Sequence, residues 1–153
     1  MPAGRALDLA CGAGRNALWL AEHGWNVTAV DGSPAAIALL VKVAANRNVR
    51  VDARVVDLER DKFDIEPAGY SLIACCYYLQ RNLFERIQRG LAPDGVAVVI
   101  TLMSKSTYST RPGELRGYFA DWEILHDREG PDGSGHVVAE IVARKPSAIS
   151  LPS

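Results

Sequence analysis

The stretch 6-ALDLACGAGRNALWLAE-22 joins a strand pattern, a glycine-rich turn and a helix pattern without any linker between them. Residues 6–11 form an apolar run that is typical of a buried strand, apart from one aspartate, Asp8. The helix pattern begins at Arg15, directly after two closely spaced glycines. Because such a turn lets the backbone approach a ligand, the stretch predicts a ligand site at the carboxyl end of the first strand.

The composition is that of an ordinary globular domain. The chain has 153 residues, of which 48% are hydrophobic and 23% are charged, and its formal net charge is -1. These values predict one domain and argue against nucleic acid as a main partner, because there is no excess of basic residues. No apolar run reaches membrane-spanning length and no signal-peptide pattern is present, so we expect no membrane partner. Three cysteines, two of them adjacent, favour a reducing cytoplasmic location over a disulfide framework.

Strand and helix patterns alternate along the rest of the chain. The last two strand patterns have no helix between them, which predicts a closing antiparallel hairpin. We therefore expect an α/β fold, a three-layer doubly wound sheet that is mostly parallel. The expected single domain covers residues 1–146, and residues 147–153 form a tail. The predicted strands are 6–11, 26–31, 50–57, 71–76, 96–102, 122–129 and 136–144, and the predicted helices lie near 15–23, 33–44, 83–91 and 114–120.

The third predicted strand differs from the others in its pattern. Apolar Val51, Ala53 and Val55 alternate with charged residues, whereas the fourth strand is apolar throughout. Alternation indicates one buried face and one wet face, and a continuous apolar run indicates burial on both faces. We therefore place the third strand at an edge of the sheet and the fourth near its centre.

Two classes of cofactor fit the glycine-rich turn. Residues 12–17, GAGRNA, match the dinucleotide-binding pattern G-x-G-x-x-G/A, and Asp31 follows near the expected distance, as in an NAD(P)-dependent oxidoreductase. Asp8, however, would repel a pyrophosphate from inside the first strand, and it suits a cofactor that carries sulfonium and ammonium groups. The oxidoreductase is therefore the less favoured alternative.

Three longer segments resemble a known family. Residues 7–37, LDLACGAGRNALWLAEHGWNVTAVDGSPAAI, look like the opening of a class I S-adenosylmethionine-dependent methyltransferase. Residues 70–100 resemble its fourth and fifth strands, and residues 112–146 resemble the closing helix and hairpin of its tellurite-resistance and small-molecule branch. The resemblance covers about residues 6–146. It implies seven strands in the order 3-2-1-4-5-7-6, S-adenosylmethionine as cofactor and S-adenosylhomocysteine as product.

The resemblance also implies a role for the residues of the cofactor site. Asp8 would lie beside the methionine moiety, and Asp31 would accept hydrogen bonds from both ribose hydroxyls. Asp57 and Leu58 would hold the adenine. An ordinary strand-end or turn carboxylate is the structural alternative for Asp31 and Asp57. The implied cofactor-binding residues are Asp8, Ala10, Cys11, Gly12, Gly14, Arg15, Asn16, Asp31, Gly32, Ser33, Asp57, Leu58, Cys75 and Cys76.

Two features depart from the family pattern. Ala10 stands where the family most often has its first glycine, so its methyl group predicts a tighter loop. Only Met1–Arg5 precede the first strand. We therefore expect the N-terminal helices that cover the active site in relatives to be missing: either the chain is a shortened form, or another surface acts as the lid.

The segment after the fourth strand indicates the kind of acceptor. Residues 75–80, CCYYLQ, lack the Asn/Asp-Pro-Pro-Tyr pattern of many amino-methylating DNA enzymes, and no evident general base replaces it. We therefore expect a small molecule that is already a good nucleophile, such as a thiol or a chalcogen compound. Tyr77 and Tyr78 are the candidates for positioning it. A methyltransferase-like binding protein with weak turnover is the alternative, and a homodimer is left open.

The three cysteines allow two interpretations. Cys11, Cys75 and Cys76 end neighbouring strands, so one hypothesis brings three thiols together at one pocket mouth to bind a soft metalloid. The favoured interpretation treats them as small core hydrophobes and predicts no metal site. The resemblance implies in addition that Cys75 or Cys76 lines the sulfonium side of the cofactor.

Overall fold

One sheet organises the chain. The computed structural model describes residues 1–60, 63–104 and 106–148, and within these ranges it contains seven strands in the order β3-β2-β1-β4-β5-β7-β6. The strands are β1 (Arg5–Leu9), β2 (Asn26–Asp31), β3 (Val51–Val55), β4 (Tyr70–Cys76), β5 (Leu91–Leu102), β6 (Glu123–Pro131) and β7 (Val137–Arg144). The helices are α1 (Arg15–Glu22), α2 (Pro34–Asn46), α3 (Leu83–Gly90) and α4 (Glu114–Gly117). The predicted α/β fold and strand order are confirmed.

The register places the change of strand order at β1. Asp8 of β1 lies opposite Ala29 of β2 on one side and Ala74 of β4 on the other, and both pairings are parallel. The chain runs outward from β1 to β3 and then returns to β4, so the β1–β4 boundary is the switch point at which ligands bind in such sheets. β7 runs antiparallel to both β5 and β6, which confirms the predicted hairpin.

The end of β1 and the start of α2 follow local rules. β1 ends at Leu9 rather than at Cys11, because Ala10 has a φ of 53° and turns the chain out of the strand. The second helix begins as predicted, with Ser33 as N-cap accepting a hydrogen bond from the Ala36 N–H and Pro34 as first helical residue.

The core has two parts because β1 side chains alternate across the sheet. Leu7 and Leu9 face the cluster that includes side chains of α3 and α4, whereas Ala6 faces the cluster formed with α1 and α2. On the α1 and α2 face, Leu72 of β4 and Ile100 of β5 are only half-buried. This part of the sheet face is therefore less covered than the rest.

Several element boundaries differ from the prediction. β5 begins at Leu91 and includes residues 91–95, which the pattern LAPDG had indicated as a turn, and Asp94 within it has a φ of 67°. α4 ends at Gly117 instead of reaching residue 120. The predicted edge position of β3 is confirmed, and Val55 on it is 51% exposed.

Two further points concern membrane-spanning helices and the C-terminal tail. Within the described ranges, no helix combines the length and the apolar character that crossing a membrane would require. Residues 149–153 of the predicted tail lie outside the described residues.

Candidate functional site

The loop after β1 has a left-handed backbone at three of its five positions. Ala10, Gly12 and Gly14 have φ values of 53°, 56° and 86°. A Cβ at Gly14 would lie 2.3 Å from Leu40 Cδ1, so this glycine lets α1 pack against α2. A Cβ at Gly12 would meet no atom of the described residues within 4 Å, so this glycine borders open space. The alanine at position 10 is tolerated at the cost of a strained backbone, of about 1 kcal/mol.

The Asp31 carboxylate joins this loop to the start of α2. Its Oδ1 accepts a hydrogen bond from the Gly12 N–H at 3.0 Å, and its Oδ2 accepts one from the Ser33 N–H at 3.0 Å. Each carboxylate oxygen can accept a further hydrogen bond, so the group is fixed in orientation and still able to bind hydroxyls. Asp31 lies at the tip of β2 and is half-buried.

Asp8 is a buried carboxyl group without a full set of partners. The side chain is 2% exposed, and its Oδ2 has no hydrogen-bond partner among the described residues. Burial raises the pKa of the Asp8 carboxyl to about 7, the Ala17 backbone N–H lowers it, and the nearby Asp31 charge raises it further. A buried oxygen without a partner is costly, so the site suits a cationic or hydrogen-bond-donating ligand group.

The predicted adenine residues lie after β3, in a turn. Asp57 Oδ1 accepts hydrogen bonds from the N–H groups of Glu59 at 3.0 Å and Arg60 at 3.2 Å. Leu58 is 6% exposed and belongs to the core cluster on the α3 and α4 face. Its carbonyl oxygen accepts a hydrogen bond from the Gln80 side chain at 3.0 Å, which ties this turn to the segment after β4.

The two adjacent cysteines of β4 face opposite sides of the sheet. Cys75 packs in the core cluster with Leu9, whereas Cys76 hydrogen-bonds with the Asn16 side chain of α1. The structure therefore does not bring Cys11, Cys75 and Cys76 together, and the three-thiol hypothesis is wrong. Burial raises the pKa of each of these thiols to about 12, which keeps them protonated and poor as metal ligands. Among the described residues there is no cluster of three metal-binding side chains.

The two tyrosines after β4 have different surroundings. Tyr77 is 50% exposed, has a φ of 60° and donates its hydroxyl to Asp132 Oδ2 at 2.9 Å. Tyr78 packs against the core cluster of the other face and donates to Gln80 Oε1 at 2.7 Å. Burial raises the pKa of the Tyr78 hydroxyl to about 12. Only Tyr77 lies on the side of Asp8 and Asn16.

A cavity of about 880 Å³ opens beside the glycine-rich loop. Its lining contains seven of the residues predicted from the sequence: Asp8, Ala10, Cys11, Arg15, Asn16, Cys76 and Tyr77. The other predicted residues lie outside the lining: Gly12, Gly14, Asp31, Gly32, Ser33, Asp57, Leu58, Cys75 and Tyr78. Gly12 and Asp31 are nevertheless next to it, because Gly12 directly follows the lining residue Cys11 and its N–H donates to Asp31.

Sequence reasoning missed eight lining residues: Trp19, Leu20, Leu72, Ala74, Val98, Ile100, Asp132 and Ser134. The first six give the cavity an apolar floor and side wall. Asp132 and Ser134 come from the β6–β7 turn, residues 132–136. A signal for this turn existed, since β7 is antiparallel to β5 and must therefore begin at the edge where β5 ends.

The sequence matches a known protein family over most of its length. The family model described as "TehB: Tellurite resistance protein TehB" matches residues 1–137. Hemagglutinin 1 of Eikenella corrodens is 31% identical over 137 residues, which are 82% of this chain and 46% of that protein. The "Probable S-adenosyl-L-methionine-dependent methyltransferase TehB" of Haemophilus influenzae (strain 10810) is 25% identical over 140 residues, which are 82% of this chain and 48% of that protein.

Solved structures share the fold. The crystal structure of TehB from Haemophilus influenzae superposes with a TM-score of 0.79 at 23% identity, over 92% of this chain and 57% of that one. The present chain thus spans about half the length of the curated relatives that it matches.

Proposed function

The chain belongs to the TehB family of tellurite resistance proteins, and on that premise we propose that it is an S-adenosylmethionine-dependent methyltransferase. Its acceptor is a small nucleophilic molecule. Membership of the family rests on the match over residues 1–137. The activity is our proposal, because the chain covers only 46% and 48% of the two relatives compared above.

The observation that carries the proposal is the Oδ2 of Asp8, which lies beside the cavity and has no hydrogen-bond partner in the described part of the chain. The methionine part of the cofactor carries an ammonium group, which would give this buried oxygen both a counter-charge and a hydrogen-bond donor. The open space at Gly12 is on the same loop and allows a ligand to lie against its backbone. The residues present therefore fit the cofactor.

Asp31 would bind the ribose. Its carboxylate is already oriented by the Gly12 and Ser33 N–H groups, so accepting two hydroxyls requires no rearrangement. Each charge-assisted hydrogen bond of this kind contributes about 1.5–3 kcal/mol. A dinucleotide would instead place its negatively charged pyrophosphate near Asp8, where the like charges repel each other. The buried carboxyl therefore argues against the oxidoreductase alternative.

The other residues that line the cavity would position the acceptor. S-adenosylmethionine, when bound, supplies a methyl group that is already activated by its sulfonium. The cavity walls formed by Cys76 and Tyr77 would hold the acceptor in line with that group, which is the main requirement for transfer. Among the described residues the cavity lining contains no lysine or histidine, and burial keeps the Cys76 thiol protonated. Of the two carboxylates in the lining, Asp8 would be paired with the cofactor ammonium, and Asp132, whose pKa lies well below its usual range, is a weak base. This lining supports an acceptor that needs no strong general base, such as a thiol or a chalcogen compound.

The first experiment measures cofactor binding by calorimetry. We expect S-adenosylhomocysteine to bind in the micromolar range and Asp31→Ala to weaken the binding at least about tenfold, or about 1.4 kcal/mol. Asp121→Ala changes an exposed carboxylate between α4 and β6 and is the matched control. Unchanged affinity in a folded Asp31→Ala protein, or tighter binding of NADH than of S-adenosylhomocysteine, would contradict the proposal.

The second experiment measures transfer. S-adenosylhomocysteine formation is followed with a panel of thiols, selenite and tellurite as acceptors, with an RNA oligonucleotide included. Product formation with the small acceptors supports the proposed function. Micromolar cofactor binding without turnover on any acceptor would favour the alternative, a methyltransferase-like binding protein.

A further inference from the structure

Tyr77 is held in an unusual geometry at the acceptor end of the cavity. Its N–H donates to the Ile100 carbonyl at 2.7 Å, and its φ of 60° is in the left-handed region, which a bulky residue rarely adopts. Its hydroxyl reaches the β6–β7 turn, 55 residues further along the chain, where it donates to Asp132. Strain of this kind persists where the surrounding structure enforces it, and it is concentrated at functional sites.

Asp132 accepts hydrogen bonds from four donors. Its Oδ1 accepts from the Ser134 N–H at 2.8 Å, the Ser134 hydroxyl at 2.8 Å and the His136 N–H at 3.2 Å. Its Oδ2 accepts from the Tyr77 hydroxyl at 2.9 Å. These donors hold the pKa of the Asp132 carboxyl well below its usual range, so the group stays ionised and can only accept.

The ionised state of Asp132 fixes the direction of its hydrogen bond with the Tyr77 hydroxyl. Because Asp132 offers no proton, the phenolic hydrogen must point towards it, and the free lone pairs of the phenolic oxygen are left for another partner. Tyr77 and Asp132 both line the cavity. The pair thus offers the cavity hydrogen-bond acceptors and no donor.

We propose that the Tyr77 hydroxyl, locked by Asp132, orients a methyl acceptor through an S–H, O–H or N–H donor on that molecule. This inference rests on the proposed function and narrows its substrate class to a hydrogen-bearing nucleophile such as a thiol. An anion that carries no hydrogen would instead be repelled by the phenolic lone pairs of Tyr77 and by the Asp132 carboxylate. Tyr77 contacts the acceptor, and Asp132 is a positioning residue that acts through Tyr77.

Asp132→Asn reverses the direction of the hydrogen bond with Tyr77 and keeps the shape of the side chain. The amide oxygen must stay at the Oδ1 position, because two backbone N–H groups donate to it there. The amide nitrogen then takes the Oδ2 position and donates to the Tyr77 oxygen, so the phenolic hydrogen turns towards the cavity. Tyr77→Phe is the complementary variant, since it removes the phenolic oxygen and keeps the Asp132 charge.

The experiment compares two probes by NMR titration, with and without saturating S-adenosylhomocysteine. The probes are 2-mercaptoethanol, a thiol, and thiocyanate, an anionic sulfur nucleophile without a hydrogen. We expect Asp132→Asn to change the ratio of their dissociation constants by about tenfold in favour of thiocyanate, the effect of one hydrogen bond. We expect Tyr77→Phe to weaken 2-mercaptoethanol binding and to leave thiocyanate binding unchanged.

The controls separate this inference from the proposed function. Asp121→Asn, which removes an exposed charge elsewhere, should leave the ratio as in the wild type. An unchanged ratio in Asp132→Asn, unchanged 2-mercaptoethanol binding in Tyr77→Phe, or probe shifts that do not include Tyr77 would each overturn the inference. Failure of S-adenosylhomocysteine binding would overturn the proposed function, while the titrations without it would still show whether Tyr77 selects the thiol.

Discussion

Asp8→Asn is expected to stabilise the ligand-free protein at high pH and to weaken cofactor binding. Burial raises the pKa of the Asp8 carboxyl from 3.8 to about 7, which corresponds to about 4 kcal/mol at about 1.4 kcal/mol per pH unit. The folded state therefore holds a proton that the unfolded state has already released over this interval. The contribution of this group to stability therefore falls as the pH rises from about 4 to about 7, and it no longer changes above about pH 7.

The variant removes this pH dependence because an amide does not ionise. From pH 5 to pH 8, the free energy of unfolding of Asp8→Asn minus that of the wild type should therefore increase by about 3 kcal/mol. The amide N–H group would be buried without a partner and costs about 1–3 kcal/mol, but this cost is the same at both pH values and cancels in the comparison. Urea unfolding at pH 5 and pH 8 measures the difference.

The affinity of the wild-type protein for the cofactor should rise with pH, whereas its stability falls. The ammonium of S-adenosylhomocysteine favours ionised Asp8, and at pH 6 only about one molecule in ten is ionised when the pKa is about 7. We expect wild-type affinity to be about tenfold lower at pH 6 than at pH 8, and Asp8→Asn to bind weakly at both. Asp121→Asn serves as the control in both assays. Parallel stability profiles for wild type and Asp8→Asn, or a wild-type affinity that is equal at pH 6 and pH 8, would refute the reasoning.

Two further predictions concern the loop and the thiols. Gly14→Ala should lower the free energy of unfolding by about 2–4 kcal/mol, because its φ is 86° and its Cβ would lie 2.3 Å from Leu40, whereas Gly12→Ala should cost only about 1 kcal/mol. Equal losses in urea unfolding would show that contact with Leu40 is not the cause. Cys76 should react with iodoacetamide at pH 8 about a thousandfold more slowly than a free thiol, since burial raises its pKa to about 12, and arsenite should not change the rate. Rapid labelling seen by mass spectrometry, or protection by arsenite, would contradict this.

The sequence predicted the parts of the fold that depend on neighbouring residues. The run from Ala6, the two glycines and the stripe of α1 predicted a strand, a turn and a helix, and the Ser33-Pro34 pair predicted where α2 begins. These features act over a few residues, through backbone sterics and capping. The errors also lie at boundaries, where a single left-handed residue such as Ala10 or Asp94 changes the assignment.

The candidate site was less predictable. Asp8 and Asp31 could be singled out because an acidic residue in an apolar strand or at a strand tip is conspicuous. Cys75 and Cys76 could not both serve one pocket, since adjacent strand residues point to opposite faces. The same alternation brings Leu72, Ala74 and Cys76 to one cavity, where the sequence pattern shows only a uniform apolar run.

By itself, the sequence determined the strand–turn–helix unit, the family resemblance and the acidic residues around the turn. Only the tertiary structure decided that one Asp8 oxygen has no partner within the described ranges and that Tyr77 is hydrogen-bonded to Asp132. The first depends on how closely α1 and β4 approach β1. The second joins residues 55 positions apart, so it depends on the registers of β5, β6 and β7 and on the shape of the turn between the last two. Such long-range geometry leaves no local pattern in the chain.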